Sequence, residues 1–200
     1  MNLDLDLDLE NEALAKVVGQ ISPRQGRHLT WLAAQVEAEH CIVETGAYRG
    51  LSSCYLGLGA KGGNRARIYS IDLWGMRKPG DEKRYGKYLS PDHLAAWCRN
   101  TAAVGVAELV TPVQSYSVEA AKLWTRPIGL LFIDGDHSHT GCLGDYEGFA
   151  PHIVAGGSLA VHDFANPALG VGAVVDEIIR PSGLWEDEVQ LGGLVTWRRK

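Results

Sequence analysis

Cys41-Ile42-Val43-Glu44-Thr45-Gly46-Ala47-Tyr48-Arg49-Gly50 is the stretch whose reading decides the fold. An apolar run reaches a carboxylate, turns through two glycines and opens into Leu51-Ser52-Ser53-Cys54-Tyr55-Leu56, a helical pattern. Strand, glycine turn and helix form the opening unit of a doubly wound α/β domain, whose ligands bind beyond the carboxyl ends of the strands. The glycines are wrong for a dinucleotide. A pyrophosphate needs G-x-G-x-x-G, so that backbone N–H groups and a helix N-terminus face it. Here the spacing is Glu44-x-Gly46-x-x-x-Gly50, with a carboxylate where phosphate would be repelled. A ligand carrying positive charge and hydroxyls suits that turn; taken alone, the pattern fits an ordinary βα-turn equally well.

Downstream, Arg67-Ile68-Tyr69-Ser70-Ile71-Asp72 reads as a second strand ending in a carboxylate, placed to accept hydrogen bonds from ribose hydroxyls. Residues 75–90 are charged, aromatic and aperiodic, which predicts either a mobile lid over a substrate or a solvated loop. A helix follows over 91–103, with Leu94, Trp97 and Cys98 inward, then strand three over 108–115 and a short helix over 118–124. Strand four covers 128–134 and is strongly apolar. A helix over 140–153 ends near Gly156-Gly157, and strand five spans 158–163. One more helix over 172–179 stops at Pro181, and two strand-like runs joined at Gly192-Gly193 predict a closing hairpin. The count is seven strands.

Upstream, Ser22-Pro23 predicts a helix cap and first position, with Leu29, Leu32, Ala33 and Val36 on one face to about Ala38. Gln25-Gly26 is either a plain helix start or an approach to the ligand. Residues 10–20 have helical spacing, and Leu3 to Leu9 alternates Leu with Asp, a repulsive ladder read as a frayed arm or a segment ordered by a second subunit. The division is therefore 1–20, an arm and helix, and 21–200, one domain.

Two strands empty into titratable groups. Leu130-Leu131-Phe132-Ile133 leads into Asp134-Gly135-Asp136-His137-Ser138-His139, and Leu159-Ala160-Val161 leads into His162-Asp163. Neighbouring strands lie about 4.8 Å apart, so Asp134, Asp163 and an inward His162 would reach one divalent ion with oxygen and nitrogen ligands. Adjacent residues on a regular strand face opposite sides, so His162 and Asp163 converge only where the strand has ended. Acidic strand ends also hold water or an amine without a metal. His28, His40, His93 and His152 lack an acidic partner in a motif and are assigned to surface or packing. His139 is assigned to a turn or helix cap.

The chain has 200 residues, a net charge of −5 and scattered basic residues, so nucleic acid is not an expected partner. No apolar run approaches the ~20 residues that span a bilayer, and the N-terminus is acidic where a signal peptide is basic. Cys41, Cys54, Cys98 and Cys142 form no C-x-x-C pair, which predicts buried thiols in a reduced, cytoplasmic protein.

The ordered set V-E-T-G-A-Y-R-G, I-D-L-W, F-I-D-G-D-H-S-H, G-G and H-D-F resembles the class I S-adenosylmethionine-dependent small-molecule O-methyltransferases. It is most similar to the I-D-G-D-H-S group, related to macrocin-type sugar and catechol O-methyltransferases, from about Ser22 to Lys200. The resemblance implies a Rossmann-like sheet of order 3-2-1-4-5-7-6 with strand seven antiparallel and helices on both faces. It implies S-adenosylmethionine held by Glu44, Gly46, Ala47, Tyr48 and Gly50 at the methionine end, Asp72 and Leu73 at the ribose, Gln114 and Ser115 at the adenine, and Asp134 and Gly135 beside it. Asp134, His162 and Asp163 would bind Mg²⁺ or Mn²⁺, although metal-using relatives usually carry a carboxylate where His162 stands. His137 falls where catechol O-methyltransferase carries its lysine base; it is either the base or the residue that orients Asp134. The implied activity is methyl transfer to a hydroxyl of a small molecule, such as a sugar or natural-product intermediate. Metal-independent methylation and a non-catalytic cofactor-binding module are the alternatives; an oxidoreductase is disfavoured by the missing G-x-G-x-x-G. The Leu-Asp arm makes a homodimer worth testing.

Overall fold

A computed structural model describes residues 11–200; the Leu-Asp arm lies outside the described residues. The predicted helix over 10–20 reduces, among the described residues, to one 3₁₀ turn, Leu14–Lys16, with Leu14 buried. Leu14 and Val17 are buried by that one turn, while Val18 is left exposed. Helix α1 (Pro23–Ala34) begins with the predicted cap, and it is a capping box: the Ser22 hydroxyl accepts from Gln25 N while the Gln25 side chain accepts from Ser22 N. Such a cap contributes about 1 kcal/mol.

The elements then run β1 (Cys41–Thr45), α2 (Leu51–Gly62), β2 (Arg67–Asp72), α3 (Asp81–Tyr85), α4 (Pro91–Val104), β3 (Val110–Gln114), α5 (Ser117–Lys122), β4 (Ile128–Ile133), α6 (His139–Phe149), β5 (Ile153–Val161), α7 (Val171–Val174), β6 (Trp185–Leu191) and β7 (Leu194–Arg199). They form one seven-stranded sheet of order β3-β2-β1-β4-β5-β7-β6. β7 is antiparallel to both neighbours, as the terminal hairpin requires. The order and the odd strand are as the resemblance implied.

Period-two alternation sends the apolar strands into two cores. On β4, Leu130 and Phe132 join one cluster with Leu29 of α1 and Leu56 of α2, while Leu131 and Ile133 join the other with Tyr146 and Phe149 of α6. Truncating a wholly buried residue such as Phe132 to Ala costs about 3–5 kcal/mol.

Three local expectations are corrected. Gly156-Gly157 lies inside β5 rather than before it: Gly156 has φ +78°, and the pairing with β4 shifts register between Ile128 and Leu130. The helix after β5 changes to a wider π-helical stretch over Val175–Ile179. On α4, Trp97 is buried but Cys98 is exposed, because neighbours on a helix sit about 100° apart and the indole claims the inward face. The other three cysteines are buried and unpaired.

The parallel strands end level with one another. Thr45 is registered with Ile71 and Ile133, and Ile133 with Val161. The first residue past each strand keeps one ladder bond: Gly46 N to Ile71 O, Asp134 N to Thr45 O, and His162 N to Ile133 O, at 2.9–3.0 Å. Three loops, those after β1, β4 and β5, are thereby fixed along one rim.

Candidate active site

The loop after β1 presses directly on the loop after β4. Gly46 has φ +85°, and a Cβ there would lie 2.1 Å from the carbonyl oxygen of Asp134. Only glycine fits both the dihedral and the contact. Tyr48 also has a positive φ, +47°. Asp72 ties this turn to the end of β2: its Oδ2 accepts from Tyr48 N at 2.8 Å and its Oδ1 from Trp74 N at 3.0 Å. The Trp74 indole closes the link by donating to Tyr48 O at 2.7 Å. Burial raises the Asp72 carboxyl above its usual range, against the lowering effect of those N–H donors.

A cavity of ≈ 480 Å³ opens along the rim. Of the residues singled out in the sequence, Gly46, Ala47, Tyr48, Asp72, Leu73, Ser115, Asp134, Gly135 and His137 line it. Glu44, Gly50, Gln114, His162 and Asp163 are not part of that lining. Glu44 is wholly buried, one layer down, where Ser53 Oγ and Ser70 Oγ donate to its Oε2 at 2.5 and 2.6 Å. Burial pushes its carboxyl up to about 7, opposed by the Ser52, Ser53 and Ser70 hydroxyls and assisted by the charge of Asp134. Gly50 (φ +89°) begins α2 with no room for a side chain against Trp97. Gln114 uses its amide to hold Leu73 O and Trp74 O at 3.1 Å.

The residues 75–90 contribute two tyrosines to the wall. Tyr85 on α3 donates to Asp136 Oδ2 at 3.1 Å, and Tyr88 lies edge-on to Tyr48 with centroids 5.5 Å apart. His93, assigned to packing, is buried against Tyr48 at 4.5 Å. The sequence reading missed Ser52, Tyr116, Ser117 and the Ala168–Gly170 segment, all of which line the cavity. Tyr116 and Ser117 were readable as the continuation of the Gln114-Ser115 strand end. Nothing in Ala-Leu-Gly marks a binding wall; Gly170 is brought there by its N–H bond to His137 O at 2.9 Å.

At the ends of β4 and β5 the titratable groups converge. β5 stops at Val161 and Asp163 takes φ +61°, so His162 and Asp163 are released from strand alternation and turn the same way. Ligand atoms of Asp134, His162 and Asp163 lie within 4.8 Å of one another. His162 Nδ1 stands 3.2 Å from Asp134 Oδ1 and 3.6 Å from Asp163 Oδ1. His137 Nε2 is 3.4 Å from Asp134 Oδ1 and 3.4 Å from Asp163 Oδ2. Both ring nitrogens are buried, and neither has the alignment of a hydrogen bond. Orphaned buried nitrogens facing two carboxylates are a donor set that fits a divalent cation. Burial lowers the His162 pKa, but the neighbouring carboxylates of Asp134 and Asp163 outweigh it and carry the ring up to about 10. His137 is raised chiefly by Asp134, and Asp163 is lowered chiefly by His162. His139 is the first residue of α6, whose cap is Ser138 Oγ accepting from Gly141 N at 3.1 Å.

The profile of a methyltransferase domain family matches residues 43–164, more than half of the chain. Among solved structures, the O-methyltransferase NovP is 15% identical with a TM-score of 0.71, over 90% of this chain and 81% of that one. The O-methyltransferase TomG from Streptomyces achromogenes, involved in tomaymycin synthesis and solved in complex with SAM, is 18% identical with a TM-score of 0.69, over 94% of this chain and 90% of that one. An rRNA methylase from Streptococcus thermophilus is 15% identical with a TM-score of 0.63, over 90% and 99%. At such identities the likeness is one of fold, which two O-methyltransferases and an rRNA methylase share. With the family profile lying across the β1 turn, the β4 end and the β5 end, the chain belongs to the methyltransferase domain family.

Proposed function

We propose that this enzyme transfers the methyl group of S-adenosylmethionine to a hydroxyl oxygen of a small molecule, a sugar or natural-product intermediate, assisted by a divalent ion. One observation carries the proposal: the cavity lined by the Gly46–Tyr48 turn and Asp72 is also lined by Asp134 and His137, and Asp134 has ligand atoms within 4.8 Å of those of His162 and Asp163. The printed roles of NovP and TomG as O-methyltransferases support an oxygen acceptor. Gly46, Ala47 and Tyr48 would hold the methionine end, Asp72 and Leu73 the ribose, and Ser115 the adenine. Glu44, Gly50 and Gln114 would act by fixing those loops.

A neutral alcohol is a poor nucleophile toward the sulfonium methyl. A divalent ion held by Asp134, His162 and Asp163, Mg²⁺ or Mn²⁺ by resemblance, would supply Lewis acidity that lowers the pKa of a bound hydroxyl. His137 takes the hydroxyl proton at Nε2, a general-base role of about 10²–10⁴-fold. The carboxylates of Asp134 and Asp163, each 3.4 Å away, stabilise the imidazolium that forms. Alignment of methyl and oxygen in the cavity adds the proximity contribution. Residues 21–200 would be the catalytic domain of a cytoplasmic enzyme whose partners are small molecules rather than nucleic acid or membrane. A homodimer through residues 1–10 is checked by sedimentation of the full chain.

A second reading has its own support. With His162 raised to about 10, its ring is a cation already seated between two carboxylates, as in a metal-independent enzyme. A proton and a metal ion compete for the same nitrogen. Calorimetry with S-adenosylmethionine, its demethylated form and NAD, followed by mass-detected methyl transfer to a panel of hydroxylated acceptors with and without chelator, tests both. Tight NAD binding with no response to either sulfur cofactor overturns the proposal. Cofactor binding with no turnover on any acceptor favours a non-catalytic module. Full turnover in chelator selects the metal-free form.

A further inference from the structure

One buried acid takes no part in the chemistry above. Asp145, on α6, is wholly buried, and neither of its carboxyl oxygens has a hydrogen-bond partner. Thr45 Oγ1, at the end of β1, is buried and unmatched as well. The two meet at Gly135, where an added Cβ would lie 3.3 Å from Asp145 Oδ2 and 3.5 Å from Thr45 Oγ1. Gly135 lines the cavity, and so does Ser117, the first residue of α5, whose hydroxyl also acts on the Asp145 carboxyl. We propose that Asp145 is a positioning residue for the cofactor, which sets the Gly135 turn and Ser117 at the separation that S-adenosylmethionine requires. The inference rests on the S-adenosylmethionine reading above and adds to it a residue outside the cavity lining.

A residue that served the fold alone would be bonded differently. The carboxylates that shape this rim have their donors: Asp72 takes Tyr48 N and Trp74 N, and Glu44 takes two serine hydroxyls. Asp145 has no aligned donor. A buried acceptor without a partner forfeits its hydration, so native structures retain few of them. The charge acting on it has the wrong sign as well. Burial pushes its carboxyl up to about 6, opposed by the Ser117 and Thr45 hydroxyls and assisted by the charge of Asp136. An apolar side chain of similar size would serve this part of the core better. A group that destabilises the fold where it stands points to a role in the site.

Topology supplies the reason. Gly135 follows β4 and Ser117 follows β3, and two other strands, β2 and β1, separate those strands in the sheet. No ladder bond therefore joins the two loops directly. Asp145 reaches both from α6. Thr45 adds a second connection, because its carbonyl accepts from Asp134 N at 2.9 Å, one residue before Gly135.

The test measures binding of S-adenosylhomocysteine to the full chain by calorimetry, with a thermal melt of each protein. Asp145→Asn keeps the shape and removes the charge. It should weaken binding about 10-fold while the melting midpoint stays level or rises. Ser117→Ala should weaken binding too, and the double variant should lose less than the product of the two single losses, since Asp145 acts through Ser117. A melting midpoint that falls in Asp145→Asn, with affinity intact or with no folded protein, overturns the proposal. Unchanged affinity in Ser117→Ala, or single losses that simply multiply, overturns it as well. In each of those cases wild-type binding of S-adenosylhomocysteine leaves the cofactor reading standing; a wild-type chain that binds none removes both.

Discussion

The rim handles its carboxylates in two opposite ways. At the β1 and β2 ends, Glu44 Oε2 and both oxygens of Asp72 are met by donors of the fold itself, Ser53 and Ser70 for the first and the N–H groups of Tyr48 and Trp74 for the second, with Glu44 Oε1 left unmatched. At the β4 and β5 ends, Asp134 and Asp163 face the rings of His137 and His162 at 3.2–3.6 Å without hydrogen-bond alignment. The first arrangement uses negative charge to hold loop shape. The second keeps it available to a proton, an ion or a reacting group. One strand-end rim therefore combines a rigid seat with two buried imidazole nitrogens that lack a hydrogen bond beside two acids.

The sharpest way to break this contrast is at its reactive end. Asp134→Ala should lower methyl transfer by at least about 10³-fold, and His137→Ala by about 10²-fold or more, with circular dichroism unchanged. Wild-type turnover in both would reject the site assignment. Gly46→Ala tests the shape end. Its Cβ would strike the Asp134 carbonyl at a φ of +85°, so a loss of roughly 3 kcal/mol in denaturant melts and weakened cofactor binding are expected.

The buried Glu44 supplies a pH test. Its folded pKa, about 7, lies above the 4.5 of the free side chain, so the folded state holds the proton more tightly. Its stabilising contribution is full below the unfolded value and is lost as pH rises through the folded one. Wild-type stability should thus fall between about pH 4.5 and 7, and Glu44→Gln should flatten that slope by up to ~3 kcal/mol. Parallel curves for the two proteins would show that Glu44 is ionised throughout. Trp74→Phe is the mildest probe: loss of the bond to Tyr48 O should cost about 1 kcal/mol and raise KM for the cofactor with kcat little changed. A drop in kcat alone would place Trp74 with the chemistry rather than the seat.

Much of the fold was legible because strands, turns and caps are written locally. Ser22-Pro23, the glycines of the β1 turn and the Gly192-Gly193 hairpin each carry their own conformational reason. Misreadings arose where local pattern underdetermines the outcome. Gly156 looks like a break, yet β5 absorbs it as a register shift beside β4. Residues 10–20 have helical spacing, yet among the described residues 11–20 the structure has a single 3₁₀ turn. At the site, Asp72, Asp134 and His137 could be read as strand-end groups. The burial of Glu44 and the place of Ala168–Gly170 in the cavity wall could not, because they depend on groups brought together by the fold: Ser70 on the neighbouring strand for Glu44 and the His137 carbonyl for Gly170.

By itself the sequence determined the class of fold and the chemical types on the rim, since hydrophobic period and turn residues act through neighbours a few positions apart. Tertiary structure alone decided which of those groups meet. His162 and Asp163 converge because β5 ends at Val161 and Asp163 enters the left-handed region, and they reach Asp134 because β4 pairs with β5. Distances of 3–4 Å between side chains from different strands are set by register and by where each strand stops, and neither is encoded at the residues themselves.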